Sequence, residues 1–86
     1  MNTLVLVKIG NANFEQWKKS FDDSAHMREK FSRDPMVGKV DDHTALVAVD
    51  VFDPAGMMEM FNSDEAKKMA TEMGVERIPF KLQPMG

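Results

Sequence analysis

Two stretches of this chain read as β-strands that are apolar on both faces, and nothing else in the sequence constrains the fold as strongly. Residues 4–7 run Leu-Val-Leu-Val inside an extended segment from Thr3 to Ile9 that meets its first charge at Lys8. Residues 44–52 place Ala45, Val47, Val49 and Val51 at one parity and Leu46, Ala48, Asp50 and Phe52 at the other. Successive side chains of a strand point to opposite faces, so both strands need cover above and below. The fold must therefore supply two layers of cover to a sheet, within 86 residues.

The remaining elements follow from periodicity and local signals. Gly10-Asn11-Ala12-Asn13 breaks the first strand, and Asn13 can cap a helix with Gln16 completing a capping box. From 14 to 31 the period is helical: Phe14, Trp17, Phe21, Ala25 and Arg28 share one face, with Ser24 at its edge. Pro35 ends that helix. A short strand is expected at 36–42, with Gly38 marking a bulge or close approach, followed by a turn at Asp41-Asp42-His43. Asp53-Pro54 starts a second helix. Its stripe is Met57, Met60 and Phe61, and Asn62 with Glu65 restarts or bends it before a stripe of Ala66, Met69, Ala70 and Met73. Gly74 suits a left-handed helix end, and 78–85 reads as a last strand whose Pro79 and Pro84 put it at a sheet edge or at a strand end.

The order is βαββαβ, which predicts an α+β, ferredoxin-like chain: a four-stranded antiparallel sheet with both helices on one face, spanning residues 1–86 as one domain. The helices cover only one side of the sheet. The other apolar side is expected to meet a second copy, giving a homodimer through sheet faces and a dimeric α/β barrel. The small size points the same way. A domain of this length buries only about 60–65% of its unfolded surface, and without cysteine it has neither disulfides nor thiolate metal sites to hold it.

Composition removes other classes. The net charge is −3, whereas a nucleic-acid binder carries a basic stripe, so no nucleic-acid partner is expected. The longest apolar runs fall far short of the ~20 residues of a membrane span, so no membrane partner is expected. The start Met1-Asn2-Thr3-Leu4 lacks the basic segment and the small-residue cleavage site of a signal peptide, and a cytoplasmic location is expected. Nine methionines are unusual, and five fall within 57–73, where they form either a soft core or a pliable pocket wall.

Three segments carry a resemblance to a known family. They are Phe14-Glu15-Gln16-Trp17-Lys18-Lys19-Ser20-Phe21-Asp22-Asp23; Val40-Asp41-Asp42 with Leu46-Val47-Ala48-Val49-Asp50; and Asp53-Pro54-Ala55, Phe61-Asn62-Ser63-Asp64-Glu65 and Met73-Gly74-Val75. With these the chain resembles a small stand-alone member of the dimeric α/β-barrel superfamily, near the antibiotic-biosynthesis-monooxygenase-like proteins. The resemblance implies a homodimer and a cavity between helices and sheet. Activities across that superfamily range from oxygenases and isomerases to haem-degrading enzymes and proteins without known function, so it is weak on chemistry. Related small members often carry a histidine where this chain has Ser24. The haem-binding set is not matched, and the chain has no tyrosine, unlike many quinone-forming relatives. No cofactor is expected.

On this reading the cavity holds a small hydrophobic or aromatic acid, with Trp17, Phe21, Ser24, Met57 and Phe61 as ligand-binding residues. Asp50, alone among apolar neighbours, is the candidate general base, and Arg28 the candidate anion clamp. Each has a plainer alternative: Trp17 as a core anchor, Arg28 with its stem packed and its head in solvent, Asp50 as a paired acid at an interface. His26 and His43 lie on separate elements without a ligand spacing, and no metal site is expected. The chemistry implied is cofactor-independent monooxygenase or isomerase-type; the alternative is a non-catalytic dimeric ligand-binding or interaction module.

Overall fold

In the computed structural model, which describes residues 2–83, the elements follow the order β1 (Thr3–Ile9), α1 (Phe14–Asp23), α2 (Ala25–Arg28), β2 (Ser32–Asp41), β3 (Thr44–Val51), α3 (Pro54–Phe61), α4 (Asp64–Met73) and β4 (Val75–Lys81). The strands form one antiparallel sheet in the order β2-β3-β1-β4. This is the ferredoxin-like arrangement, with the helices on one face.

Local chemistry explains most boundaries. Asn13 caps α1 by accepting from the Gln16 N–H, and the Gln16 side chain accepts from the Asn13 N–H in return. Asp53 caps α3 by accepting from the Gly56 N–H, with Pro54 in the first turn. Gly74 ends α4 at φ 64°, in the left-handed region that costs other residues strain. Five expectations need correction. The first helix does not run unbroken to 31. Ser24 donates from its hydroxyl to the carbonyls of Ser20 and Phe21, competing with the helical ladder, and α2 is a separate short turn. The restart of the second helix is capped by Ser63, which accepts from the Ala66 N–H, while Asn62 closes α3. Strand β2 begins at Ser32, before Pro35, because a register shift between Arg33 and Met36 and the positive φ of Asp34 carry the chain around the proline. Gly38 is itself in regular register with Leu46, with open space above it. The last strand starts at Val75 rather than 78, and Pro84 and Met85 lie outside the described residues.

The core lies between sheet and helices. Val5, Val7 and Ile9 of β1 and Ala45, Val47, Val49 and Val51 of β3 are buried against Trp17, Phe31 and Met57. The opposite face of the sheet is built from the other parity. One row across all four strands reads Met36, Ala48, Leu4, Phe80, and the next Gly38, Leu46, Leu6, Ile78. Both rows are apolar throughout, and within them Met36 is 63% exposed and Phe80 48%. Lys8 pairs with Thr44 and Glu76 at one end of this face, and Asp50 pairs with Arg33 at the other. The face is thus an apolar band with polar rims, left uncovered by the helices.

Candidate functional site: a cavity between helices and sheet

Between the sheet and the helices lies a cavity of about 130 Å³. Its floor is the valine surface of Val5, Val7, Val47 and Val49. These β-branched side chains are stiff at χ1, so the floor is fixed. Five methionines, Met27, Met57, Met60, Met69 and Met73, form much of the opposing wall. Their unbranched thioethers adapt to an irregular space that β-branched residues would leave unfilled or clash with. The Ser20 hydroxyl lies 3.0 Å from the Met69 sulfur, which orients one of them.

An aromatic ladder lines the α1 side. Phe14 and Trp17 have ring centroids 5.9 Å apart, and Trp17 and Phe21 5.1 Å, both tilted. Trp17 is buried and reaches the cavity wall. It therefore serves both readings open to it in the sequence, as core anchor and as wall.

The polar groups are few. Arg28 lies with its guanidinium 3.4 Å from the Phe21 ring centroid. Its Nη1 donates to the Phe21 carbonyl and to the Ser24 hydroxyl at 3.1 Å, so it closes carbonyls left over at the end of α1. Its Nε is buried with no partner among the described residues. Burial lowers its pKa, against the opposing pull of Asp22 and Glu29. Arg77, on the helix-facing parity of β4 beside Val7, also lines the cavity, with its guanidinium 5.0 Å from the Phe61 ring centroid. Burial lowers its pKa too, with no charged neighbour contributing. Both remain cations at neutral pH. Glu65 is the carboxylate on the rim, exposed at the start of α4.

The structure brings together six of the seven residues singled out from sequence: Trp17, Phe21, Ser24, Arg28, Met57 and Phe61 all line this cavity. Asp50 does not. It is at the other parity of β3, in register with Arg33, on the sheet face turned away from the helices. Its pKa is lowered rather than raised, through hydrogen bonding and neighbouring positive charge. The expectation of Asp50 as a cavity base working beside Arg28 is corrected on both counts, because strand alternation puts a whole sheet between them. Arg77 is a cavity cation that the sequence reading missed. Its strand was started at 78, so the alternation Val75, Arg77, Pro79 was not extended back to it. His43 sits in the β2–β3 turn with Nδ1 3.2 Å from the Ile9 carbonyl and 3.0 Å from that of Ala12, which pins the β1–α1 loop. His26 is exposed. No cluster of His, Cys, Asp and Glu among the described residues could hold a metal ion, and no described helix is long and apolar enough to cross a membrane.

The fold is similar to that of SnoaB, a cofactor-independent oxygenase from Streptomyces nogalater. The TM-score is 0.62, over 99% of this chain and 97% of that one, at 10% sequence identity. The likeness extends over the whole ferredoxin-like fold. A conserved protein from Methanosarcina mazei Go1 shares it with a TM-score of 0.52, over 96% of this chain and 95% of that one, at 11% identity. No family model and no curated protein matches the sequence. At such identities the likeness carries the fold, and activity has to be argued from the site.

Proposed function

We propose that the protein binds a small apolar or aromatic acid in the cavity between helices and sheet, as a homodimer joined through the open sheet faces. The cavity carries the first half of this reading. It has a rigid apolar floor, an adaptable thioether wall, an aromatic side and two half-buried cations, the combination that suits an apolar body with one anionic group. The dimer is supported by the two apolar rows of the outer face. Exposed bands of that kind with polar rims mark contact surfaces. In a two-fold pair the same rows would face their own copies, with the rims of Lys8, Asp50, Arg33 and Glu76 at the edges.

A second reading, cofactor-independent oxygenation of the bound ligand, is favoured by the fold shared with SnoaB. Binding ranks above it because the cavity's carboxylate, Glu65, is exposed at the rim, and the candidate base from sequence lies on the other side of the sheet.

Both halves are testable. Trp17 is the chain's sole tryptophan and lines the cavity, so it reports occupancy by fluorescence. Titration with 3-phenylpropanoate should give a saturable change at one site per chain. A linear response up to millimolar concentration rejects the ligand reading. For the dimer, the melting temperature should rise with protein concentration, and Leu6→Lys on the open face should shift sedimentation to the monomer. A wild-type chain that sediments as a monomer at micromolar concentration rejects the dimer.

A further inference from the structure

Arg28 and Arg77 are not equivalent, and the difference assigns them different work. Arg28 is engaged with its own chain through Nη1, while its buried Nε has no partner among the described residues. Its guanidinium lies over the Phe21 ring, and Nη1 is committed to the Phe21 carbonyl and the Ser24 hydroxyl, where it ties the end of α1 to α2. Removing it would leave the Phe21 carbonyl with the Ser24 hydroxyl as its remaining side-chain donor and would loosen the α1–α2 break. Arg77 makes no comparable commitment. Among the described residues its guanidinium has no hydrogen bond and no ion pair; its contact is with the face of the Phe61 ring, which leaves the edge of the fork free. Glu65, on the same cavity lining, forms no ion pair with it. None of the Arg77 nitrogens is buried away from solvent without a partner, so its donors are open to a ligand, and a guanidinium fork matches a carboxylate two bonds at a time.

We infer that Arg77 is the residue that binds the ligand's carboxylate and so sets the cavity's preference for acids over neutral molecules, while Arg28 positions the wall by holding the α1–α2 break. This rests on the ligand-binding reading above. The body of the ligand lies over Val7 and Val47 against the methionine wall, and its carboxylate is held at the β4 edge of the sheet by the fork of Arg77. The sequence-based assignment of the anion clamp thus moves from Arg28 to Arg77. The Phe61 ring holds the guanidinium plane in place, which reduces the ordering cost of a bidentate pair.

The test compares two probes of one shape, 3-phenylpropanoate and its uncharged amide, by Trp17 fluorescence. The wild type should bind the acid at least about tenfold more tightly than the amide, the scale of a charge-assisted bidentate pair. Arg77→Met keeps the apolar stem and removes the fork. It should bring the two probes to equal affinity by weakening the acid alone, with amide binding unchanged. Arg77→Lys should keep a reduced preference, since an ammonium keeps the charge and loses the fork. Arg28→Met should keep the acid preference and melt at a lower temperature. The folding control runs the other way for Arg77→Met, which should melt close to the wild type because the guanidinium makes no hydrogen bond or ion pair among the described residues. If the preference survives Arg77→Met and vanishes in Arg28→Met, Arg28 is the clamp and the inference is overturned. Equal binding of acid and amide by the wild type overturns it as well, while leaving the cavity as a neutral-ligand site. If neither probe binds, the ligand-binding reading itself fails and the inference with it.

Discussion

Ala66→Leu should stabilise the protein and abolish its ligand binding at the same time. Ala66 is the third residue of α4, buried, and on the cavity lining. Its N–H receives the cap from Ser63, which a change of side chain leaves in place. An apolar space of 130 Å³ inside a domain has a cost, and at roughly 24 cal/mol per Å³ that cost is about 3 kcal/mol. Leucine adds three carbons to alanine. At about 0.8 kcal/mol per buried methylene they are worth about 2 kcal/mol if they enter empty space. Part of the cavity opens at a rim that includes exposed Pro35 and Glu65, so the gain stays below the full cost of the void. For a domain of this size about 2 kcal/mol corresponds to a rise in melting temperature on the order of 10 °C.

The opposite sign follows if the space is closed in solution. Three extra carbons forced into a filled core cost about 1–3 kcal/mol, so the melting temperature would fall by a similar amount. Thermal melts followed by circular dichroism decide between the two, run at two protein concentrations so that a change in association is not mistaken for a change in the fold. The same variant should show no Trp17 response to 3-phenylpropanoate. A variant that melts below the wild type would falsify the cavity, and one that melts higher yet still binds the probe would place the ligand elsewhere.

Two further outcomes follow from local geometry. Gly74→Ala should lower the melting temperature by on the order of 10 °C, from a strain cost of about 1–3 kcal/mol, because φ is 64° there and a Cβ would sit 3.0 Å from the Asn11 backbone nitrogen. An unchanged melt would show that the β1–α1 loop gives way. The Asp41 carboxyl is held below its ordinary pKa, first by the His43 N–H at 2.8 Å and then by the Thr44 side chain. A pKa lower in the folded than in the unfolded chain adds stability above the unfolded value and loses it as pH falls through the folded one. Asp41→Asn, which keeps an acceptor for that N–H, should therefore flatten the acid side of the melting-temperature profile. A profile that overlies the wild type below pH 5 would refute the assignment.

What could be read from the sequence was local or periodic. The capping box of Asn13 and Gln16, the Asp53-Pro54 start and the left-handed Gly74 are short-range interactions, written in residues within a turn of one another. The break at Ser24 was less visible because it turns on a hydroxyl bonding backward to Ser20 and Phe21, which a stripe of apolar residues continuing to Arg28 conceals. The displaced start of β2 depends on a register shift and a positive φ at Asp34, which no residue pattern announces.

The misplacement of Asp50 has a different cause. Alternation separates the two faces of β3 without saying which one the helices cover, and both looked apolar. Charge resolves that ambiguity. At the even parity of the central pair stand Lys8 and Asp50, while the odd parity, Thr3, Val5, Val7, Ile9, Ala45, Val47, Val49 and Val51, holds no charge at all. A charge is tolerated at the rim of a face that meets solvent or a second copy, and is expensive beneath helices. The uncharged parity is therefore the helix-facing one, as observed. Carried across the register to β4, the same rule puts Val75, Arg77 and Pro79 under the helices, and Arg77 becomes the charge that breaks it. A cation at a position where its neighbours on the sheet are all apolar needs a reason. Phe61 supplies a ring for its face and nothing for its donors, and the carboxylate of a bound acid is the partner that would complete it.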